Sequence, residues 1–365
     1  MIRLSSLIKT FKVDLLARYA ARLLPSHRRA LSAWESCRTR HAPKMKAECG
    51  ECQEQTLVPH SCGHRGCPHC QAHESQQWLE RQLRKLVPTE YFLVTFTLPA
   101  EFRSIASRHQ RVLYSLLFEC SWETIKTFSL NDRQLQGTPG AVAVLHTHSR
   151  ELNYHPHVHV VVPNGAIDPK HRLWRRKAKG KKGGLYLFNH KALAKVFRAK
   201  MLDAIAKAGL PFPQRHPEAW VVDCKAVGKG DKALTYLGRY LYRGVIQEKD
   251  IVSAEDGQVT FRYQDGETKE TRYKTLPGED FLWLALQHVL PKGFRRARNF
   301  GFLHPNSKRL LQALQMKFGI DPNRSLGWAR KRPPLTCRCC GGVMKIIQTR
   351  ILPIIPSAVP TVAPS

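Results

Sequence analysis

One short stretch constrains the fold more than any other part of the chain, because it alternates histidine and valine. Residues 155–162 read His-Pro-His-Val-His-Val-Val-Val. In a β-strand successive side chains point to opposite faces, so His155, His157 and His159 share one face. The valines at positions 158, 160 and 162 share the other face and belong to a hydrophobic core. The chain must therefore contain a sheet with one packed face and one face that carries histidines.

The histidine face is a candidate metal site. Imidazoles two residues apart on one strand can ligate a single divalent ion, whereas a half-exposed strand that happens to carry polar histidines is the plainer alternative. A preceding predicted strand, joined to this one by a polar link as in a hairpin, carries His146 and His148. We predict a metal bound by His157, His159 and His146, with His148 and Glu151 as alternatives for the third ligand.

The charge balance indicates a polyanionic partner. The 365 residues include 59 lysines and arginines against 28 aspartates and glutamates, a formal net charge of +31. Such a charge repels itself in the folded state and is usually offset by a polyanion. No apolar run approaches the ~20 residues needed to span a bilayer, and basic residues interrupt the N-terminus where a signal peptide would need an apolar core. We expect a cytoplasmic, nucleoid-associated protein that binds nucleic acid and no membrane.

The eleven cysteines are unevenly placed, and clustering in a reducing compartment indicates metal binding. Two CxxC pairs, fourteen residues apart, have the spacing of structural zinc ribbons. The predicted zinc ligands are Cys49, Cys52, Cys67 and Cys70, with His60, Cys62 and His64 as possible substitutes. A third pair, Cys337 and Cys340, forms only half a site. The isolated cysteines are expected to be buried or incidental; they are Cys37, Cys120 and Cys224.

Strands and helices alternate without a strict βαβ pattern, which favours an α+β fold with an antiparallel sheet flanked by helices. The cysteine-rich part is predicted to be a separate zinc-ribbon-like module. The expected division is a basic helical arm over 1–45, a zinc-binding module over 46–88, a catalytic domain over 89–320 and a cysteine-containing, proline-rich tail over 321–365.

Two tyrosines on one predicted helix are candidate nucleophiles. Tyr236 and Tyr240 are four residues apart and therefore lie on one helical face. Aromatic packing is the plainer interpretation, but Arg239 and Arg243 flank the pair, which suits phosphate better than a core. A phenol attacks a phosphodiester poorly unless a metal withdraws charge from the phosphate. The histidine strand would supply that metal, and the product would be a 5′-phosphotyrosine.

A basic loop over residues 170–182 is a candidate DNA-binding segment. It holds eight lysines and arginines, no acidic residue and one tryptophan. That mixture offers phosphate neutralisation and an aromatic ring for base stacking, although a solvated run of charges is the alternative. The predicted DNA-binding residues are Trp174, Arg175, Arg176 and Lys177, together with Arg239 and Arg243. A second basic and aromatic stretch covers 293–298.

At this point the sequence resembles the HUH endonucleases (His-hydrophobic-His), and among them the two-tyrosine transposases of the insertion sequence ninety-one family. Four motifs carry the resemblance: Arg-Gly-Cys-Pro-His-Cys over 65–70, the histidines between 146 and 159, Tyr-Leu-Gly-Arg-Tyr over 236–240, and His-Val-Leu-Pro-Lys-Gly-Phe over 288–294. The resemblance implies the HUH fold, with metal ligands at His157 and His159 and nucleophiles at Tyr236 and Tyr240. The C-terminal hook departs from the usual Cys-Pro-x-Cys-Gly, since Arg338 and Cys339 stand between its cysteines. This leaves open whether the tail binds metal.

The expected function is DNA transposition. Single-stranded DNA would be nicked with magnesium or manganese and transferred through a 5′-phosphotyrosine, as the resemblance to rolling-circle-type transposases implies. A plasmid replication initiator or relaxase with the same chemistry is one alternative. A non-catalytic zinc protein that binds DNA, in which the histidines and tyrosines are structural, is the other.

Overall fold

A computed structural model describes residues 2–70, 72–168, 170–171, 173–178, 186–242, 246–266, 268–324 and 334–352. Its α-helices lie on both sides of a sheet and at the N-terminus. They are α1 Leu4–Tyr19, α2 Pro25–Ser36, α3 Ala72–Leu83, α4 Arg103–Arg108, α5 Gln110–Asn131, α6 His190–Lys207, α7 Asp231–Tyr242, α8 Gly278–Leu286 and α9 Lys308–Lys317.

The strands form three antiparallel sheets within the described residues. They are β1 Lys44–Cys49, β2 Gln55–Pro59, β3 Tyr91–Thr97, β4 Thr138–His148, β5 Tyr154–Pro163, β6 Ala166–Ile167, β7 Trp174–Arg175, β8 Val222–Ala226, β9 Ile251–Glu255, β10 Gln258–Gln264, β11 Thr271–Pro277, β12 Ala297–Gly301 and β13 Met344–Ile351. The largest sheet has the order β7-β6-β4-β5-β3-β8, and β12 also pairs with β4. The smaller sheets are β13-β1-β2 and β11-β10-β9. The mixture of helices and antiparallel sheets confirms the predicted α+β class.

The alternating strand behaves as its pattern predicts. In β5, Val158, Val160 and Val162 are buried in one hydrophobic core with residues of α5 and α6. His157 and His159 point to the opposite side and remain partly exposed. This division follows from the two-residue period of a strand.

The second face of the sheet is covered too, and this cover positions the site. Leu234 and Leu237 of α7 are buried against Val142, Val144 and Val161 of the central strands. Because these leucines occupy one side of α7, neighbouring positions of the same helix are directed toward the histidine end of the sheet. Helix α3 packs on the outside of α7.

The N-terminal helices, predicted as a basic helical arm over 1–45, pack against distant parts of the chain. Leu7, Ile8 and Phe11 of α1 are buried in a core that also contains Phe261 of β10 and Phe281 of α8. The contact is close, since a Cβ at Gly278 would lie 2.3 Å from the Phe11 ring. Helix α1 is therefore part of the body of the protein, joined to elements far away in sequence.

The C-terminal segment also differs from the predicted tail. Strand β13 pairs antiparallel with β1, which in turn pairs with β2. The module that carries the first CxxC pair is thus built from both ends of the chain. Strand β12 was likewise expected only as a basic and aromatic stretch, whereas it pairs with β4 at the edge of the central strands.

Candidate metal centre and nucleophile helix

Three histidines converge on the open face of the central hairpin. His146 of β4 stands opposite His157 of β5 in the strand register, and His159 follows two residues later. One ligand nitrogen from each residue lies within 4.8 Å of the others. The ring centroids are 4.4 Å apart for His146 and His159 and 4.8 Å apart for His157 and His159. The predicted trio is therefore brought together by the hairpin.

The trio is held in the neutral state that metal binding needs. Burial lowers the pKa of His157 to about 3 and that of His159 to about 4, and it holds the pKa of His146 well below its usual range. Near pH 7 these imidazoles therefore keep their lone pairs.

Neighbouring groups orient two of the rings. The Nδ1 of His157 donates to the carbonyl oxygen of His155 at 2.7 Å, so its Nε2 retains a lone pair. The Oγ1 of Thr95, on β3, lies 2.9 Å from the Nδ1 of His159. Partners of this kind fix the tautomer of metal-binding histidines. The remaining strand histidine, His155, accepts a hydrogen bond from Arg103 at 3.0 Å and is not part of the trio.

The alternatives for the third ligand lie elsewhere. The pairing of β4 and β5 is irregular between His146 and His148, which removes the strict alternation that would keep both on one face. The ring of His148 packs against His288 at 5.2 Å. Glu151 accepts a hydrogen bond from Asn153 in the turn.

Helix α7 carries the candidate nucleophiles, and it brings one tyrosine close to the trio. The ring of Tyr236 lies 6.3 Å from the rings of both His146 and His159, measured between centroids. Tyr236 is 39% exposed, so a substrate can reach its side chain. Tyr240 follows one turn later on α7, but its side chain and that of Arg239 lie outside the described residues, as does Arg243.

The cysteines form two groups of four, which corrects the predicted zinc set. Cys67 and Cys70 lie with Cys37 and Cys62, whereas Cys49 and Cys52 lie with Cys337 and Cys340. The predicted quartet of Cys49, Cys52, Cys67 and Cys70 is therefore wrong, since it combines one pair from each group. Two features separate the pairs: β2 runs away from the Cys49 knuckle, and helix α2 delivers Cys37 to the second pair. Cys37 is thus a member of a site and not incidental.

The first group has the dimensions of a zinc site. The Sγ of Cys37 lies 3.5 Å from that of Cys70 and 3.4 Å from that of Cys67. A tetrahedral zinc with bonds of about 2.3 Å holds its sulfurs about 3.8 Å apart. These separations are well beyond the length of a disulfide bond, about 2.05 Å.

The basic loop is less available to DNA than predicted. Trp174 packs its ring against Phe302 and Phe318 at 5.7 Å from each, so it serves as part of a core. Arg175 pairs with Asp168 at 2.9 Å, and Lys177 pairs with Asp132 at 2.6 Å. Carboxylates that lie outside the loop in sequence neutralise these cations. Of the predicted loop residues, Arg176 is exposed.

A basic cleft lies between α3, β12 and α9, and the sequence indicated only one part of it, the basic and aromatic stretch over 293–298. Its volume is about 1090 Å³, and no acidic residue is among the residues that line it. Seven cationic side chains line it: Arg81, Arg84, Lys85, Arg111, Arg295, Arg298 and Lys308. They come from three separate parts of the chain, so the sequence could indicate the arginines near position 295 but not the cleft that they form with the other cations. The Trp78 side of α3 also faces Gly238 of α7, so the cleft adjoins the nucleophile helix.

Comparison with known proteins places these features in a family. Residues 7–98 match the family model "Transposase zinc-binding domain", and residues 140–310 match the family model "Putative transposase". The chain is 34% identical to "Putative transposase y4qJ" of Sinorhizobium fredii, over 77% of this chain and 75% of that protein. It is 27% identical to the transposase of insertion sequence element IS801 of Pseudomonas savastanoi pv. phaseolicola, over 70% of this chain and 65% of that protein.

Among solved structures, conjugative relaxase TrwC in complex with mutant oriT DNA is similar over 62% of this chain and 74% of that chain, at 14% identity. The TM-score is 0.25, too low for an argument from that structure. Within the described residues no helix is long and apolar enough to cross a membrane. Both family models, one for the zinc-binding part and one for the histidine and tyrosine part, describe transposases. The chain belongs to the DNA transposases of the insertion sequence ninety-one (IS91) type.

Proposed function

We propose that this transposase nicks single-stranded DNA with a tyrosine nucleophile at a divalent metal held by His146, His157 and His159. The observation that carries the proposal is the position of Tyr236, whose ring lies 6.3 Å from two of the three imidazoles. The phenol therefore lies beside the imidazoles, on the face of the hairpin where a bound metal would meet a phosphodiester. A tyrosine packed for stability alone would not need a partly exposed ring facing a histidine cluster.

The donor set suits a divalent cation. Three neutral imidazoles within 4.8 Å of one another would supply three ligands, and oxygens of the substrate would complete the coordination. Magnesium or manganese bound there would act as a Lewis acid on a phosphodiester oxygen. The hydrogen bond between Nδ1 of His157 and the carbonyl of His155 would hold one ring in the ligating tautomer.

The tyrosines would perform the covalent steps. The phenolic oxygen of Tyr236 would attack the phosphorus and release its proton to water. The bond from phosphorus to the 3′-oxygen of the preceding nucleotide would break, and this oxygen would take up a proton from water to leave as a hydroxyl. The resulting 5′-phosphotyrosine keeps the phosphodiester energy for a later transfer. We assign Tyr240, one helical turn further along α7, as the second nucleophile, because Cβ atoms at this spacing lie about 5–6 Å apart.

The basic cleft is the proposed path of the single strand. Its cationic side chains would neutralise backbone phosphates, which gives affinity without sequence preference. Arg176 at the exposed part of the loop, with Arg239 and Arg243 beside the tyrosines, would extend this surface. Such binding would keep the protein associated with the nucleoid.

We also propose that zinc at Cys37, Cys62, Cys67 and Cys70 is structural. Four thiolates leave no open position for chemistry, and the site lies beside the core that joins α1, α2 and α8. The zinc-binding module then covers residues 37–70 with β13, and the catalytic domain extends from β3 to α9.

The test is cleavage of end-labelled single-stranded DNA that carries a transposon end, with and without manganese, resolved on denaturing gels. The Tyr236→Phe/Tyr240→Phe variant should form no covalent adduct, while each single variant keeps some nicking but loses full strand transfer. Phenylalanine retains the ring, so a packing cavity cannot explain the loss. The control is Tyr273→Phe, which removes a hydroxyl from a tyrosine that is 62% exposed on β11.

The histidine part of the proposal is tested separately. His157→Ala and His159→Ala should abolish nicking while the affinity for DNA stays nearly unchanged, because binding depends on the basic surface. An adduct that persists in the double tyrosine variant, or nicking that survives both histidine changes, would refute the assignment.

A further inference from the structure

We propose that Cys49, Cys52, Cys337 and Cys340 bind a second structural zinc, which fastens the C-terminal strand to the N-terminal module. The four sulfurs lie within 4.8 Å of one another. Cys49 and Cys340 are 3.4 Å apart at Sγ, and Cys52 and Cys337 are 3.7 Å apart. The second distance is close to the edge of about 3.8 Å that a tetrahedral zinc–thiolate site requires. Each of these short distances joins one cysteine from each end of the chain.

The backbone around both pairs has the form of a metal-binding turn. The N–H of Glu51 donates to Sγ of Cys49 at 3.4 Å, and the N–H of Cys339 donates to Sγ of Cys337 at 3.4 Å. The same donor position, two residues after the first cysteine, is used in both pairs. Donation of this kind favours the thiolate, which is the form that binds metal.

A glycine completes the second turn. Gly341 has a φ of +77° directly after Cys340, a conformation that favours glycine. A Cβ at the next residue, Gly342, would lie 3.2 Å from the sulfurs of both Cys49 and Cys340. The backbone at Gly342 therefore lies so close to these two sulfurs that a side chain there would crowd them.

The module lacks the hydrophobic burial to hold its two ends together. Its buried cluster contains Ala47, Cys49, Cys337 and Met344. Ile346 and Ile347 on β13 are 44% and 51% exposed. Such a small core rarely supports an independent fold, whereas metal binding supplies folding energy directly. Two of the four members of that core are themselves proposed ligands.

The two cysteine groups share no residue, so the second site is independent of the first. An S4 set without an open position indicates a structural metal, and zinc is the ion usually bound in this way. The function of the second zinc would be to fix β13 against β1 in the register that the structure shows. The last described strand would then be tied to a module that begins nearly three hundred residues earlier in sequence.

The first test is the metal content of the full-length protein, measured by elemental analysis and native mass spectrometry. The expected content is two zinc ions per chain. Cys337→Ser/Cys340→Ser should retain one. Cys339→Ser is the matched control, because Cys339 is exposed in the same turn and outside the quartet; it should retain two. One zinc in the unmodified protein, or iron in the second position, would overturn the proposal.

The second test does not depend on how well the variants fold. Native protein is alkylated and then digested, and labelling is followed for each cysteine peptide. In the unmodified protein Cys339 should react quickly, while Cys49, Cys52, Cys337 and Cys340 are protected together and released together by a zinc chelator. Protection lost to a reductant instead of a chelator would indicate disulfides. The proposal would also be overturned if the chelator exposed Cys337 and Cys340 to alkylation while Cys49 and Cys52 stayed protected.

Discussion

The hydroxyl of Thr95 allows a sharp test of the metal centre, because it contacts a proposed ligand from outside the trio. Its Oγ1 lies 2.9 Å from Nδ1 of His159, and the two residues face each other across β3 and β5. When Nδ1 donates to this oxygen, Nε2 keeps the lone pair that ligates metal. Thr95→Val removes the acceptor and preserves the branched shape of the side chain.

The expected effect follows from the role of such partners. Loss of a hydrogen bond to a ligating histidine typically weakens metal affinity about 10–100-fold, which is about 1.4–2.8 kcal/mol at 25 °C. The cost falls on metal binding, since the tyrosines and the cleft are untouched. Nicking should therefore be lost at limiting manganese and should return to within a few-fold of normal at saturating manganese.

The assay is a manganese titration of nicking, paired with calorimetric measurement of manganese affinity. Thr95→Ser is the matched control, because it keeps the hydroxyl and should stay near the unmodified protein. Equal manganese affinity in the valine variant would refute the role assigned to Thr95. A serine variant as weak as the valine variant would refute it too.

Three further results are expected. Arg84→Ala in the cleft should make the log–log salt dependence of single-stranded DNA binding shallower by about 0.7, measured by fluorescence anisotropy, whereas Arg28→Ala on α2 should not. Burial lowers the pKa of His27 to about 4, so between pH 6.5 and 4 the unfolded chain binds a proton that the native state excludes. The free energy of unfolding should therefore decrease as the pH is lowered through that window. When it is measured by urea unfolding at several pH values, His27→Gln should show a pH dependence of this free energy that is smaller by up to about 1.4 kcal/mol per pH unit. Trp174→Ala should lower the free energy of unfolding by about 2–3 kcal/mol, less than the full cost of a buried tryptophan, and leave DNA affinity nearly unchanged.

The histidine face could be predicted from the sequence because its information is local. A strand has a fixed period of two, so the alternation over residues 155–162 sets which side chains share a face before any partner is known. The hairpin with the preceding strand is also local in sequence, so His146 could be predicted as the third ligand. The bulge that separates His148 from it is a detail of the pairing and could not be read in advance.

The helix over residues 231–242 was similarly accessible. Its apolar positions repeat with a helical period, so the sequence indicates which side is buried and leaves Tyr236 next to that side. That this ring meets the histidines depends on how α7 packs across β4 and β5. The sequence alone supplied both halves of the proposed active site but not their contact.

The cysteines show where sequence reasoning ends. A CxxC pair supplies two of the four ligands of a structural zinc in any fold. The spacing of the pairs along the chain does not determine which two pairs share a zinc. Here β13 returns to β1, so Cys337 and Cys340 join Cys49 and Cys52, and helix α2 carries Cys37 to the other pair.

The basic cleft also depends on tertiary packing, because its cations come from segments that only the packing of α3, β12 and α9 brings together. The contacts that occupy Trp174 and Lys177, both predicted to bind DNA, come from partners that lie outside their loop in sequence. The sequence by itself determined the residue types, the periodic faces and the family; the tertiary structure decided every pairing between distant segments, because such pairings depend on strand topology and helix packing and leave no periodic trace in the chain.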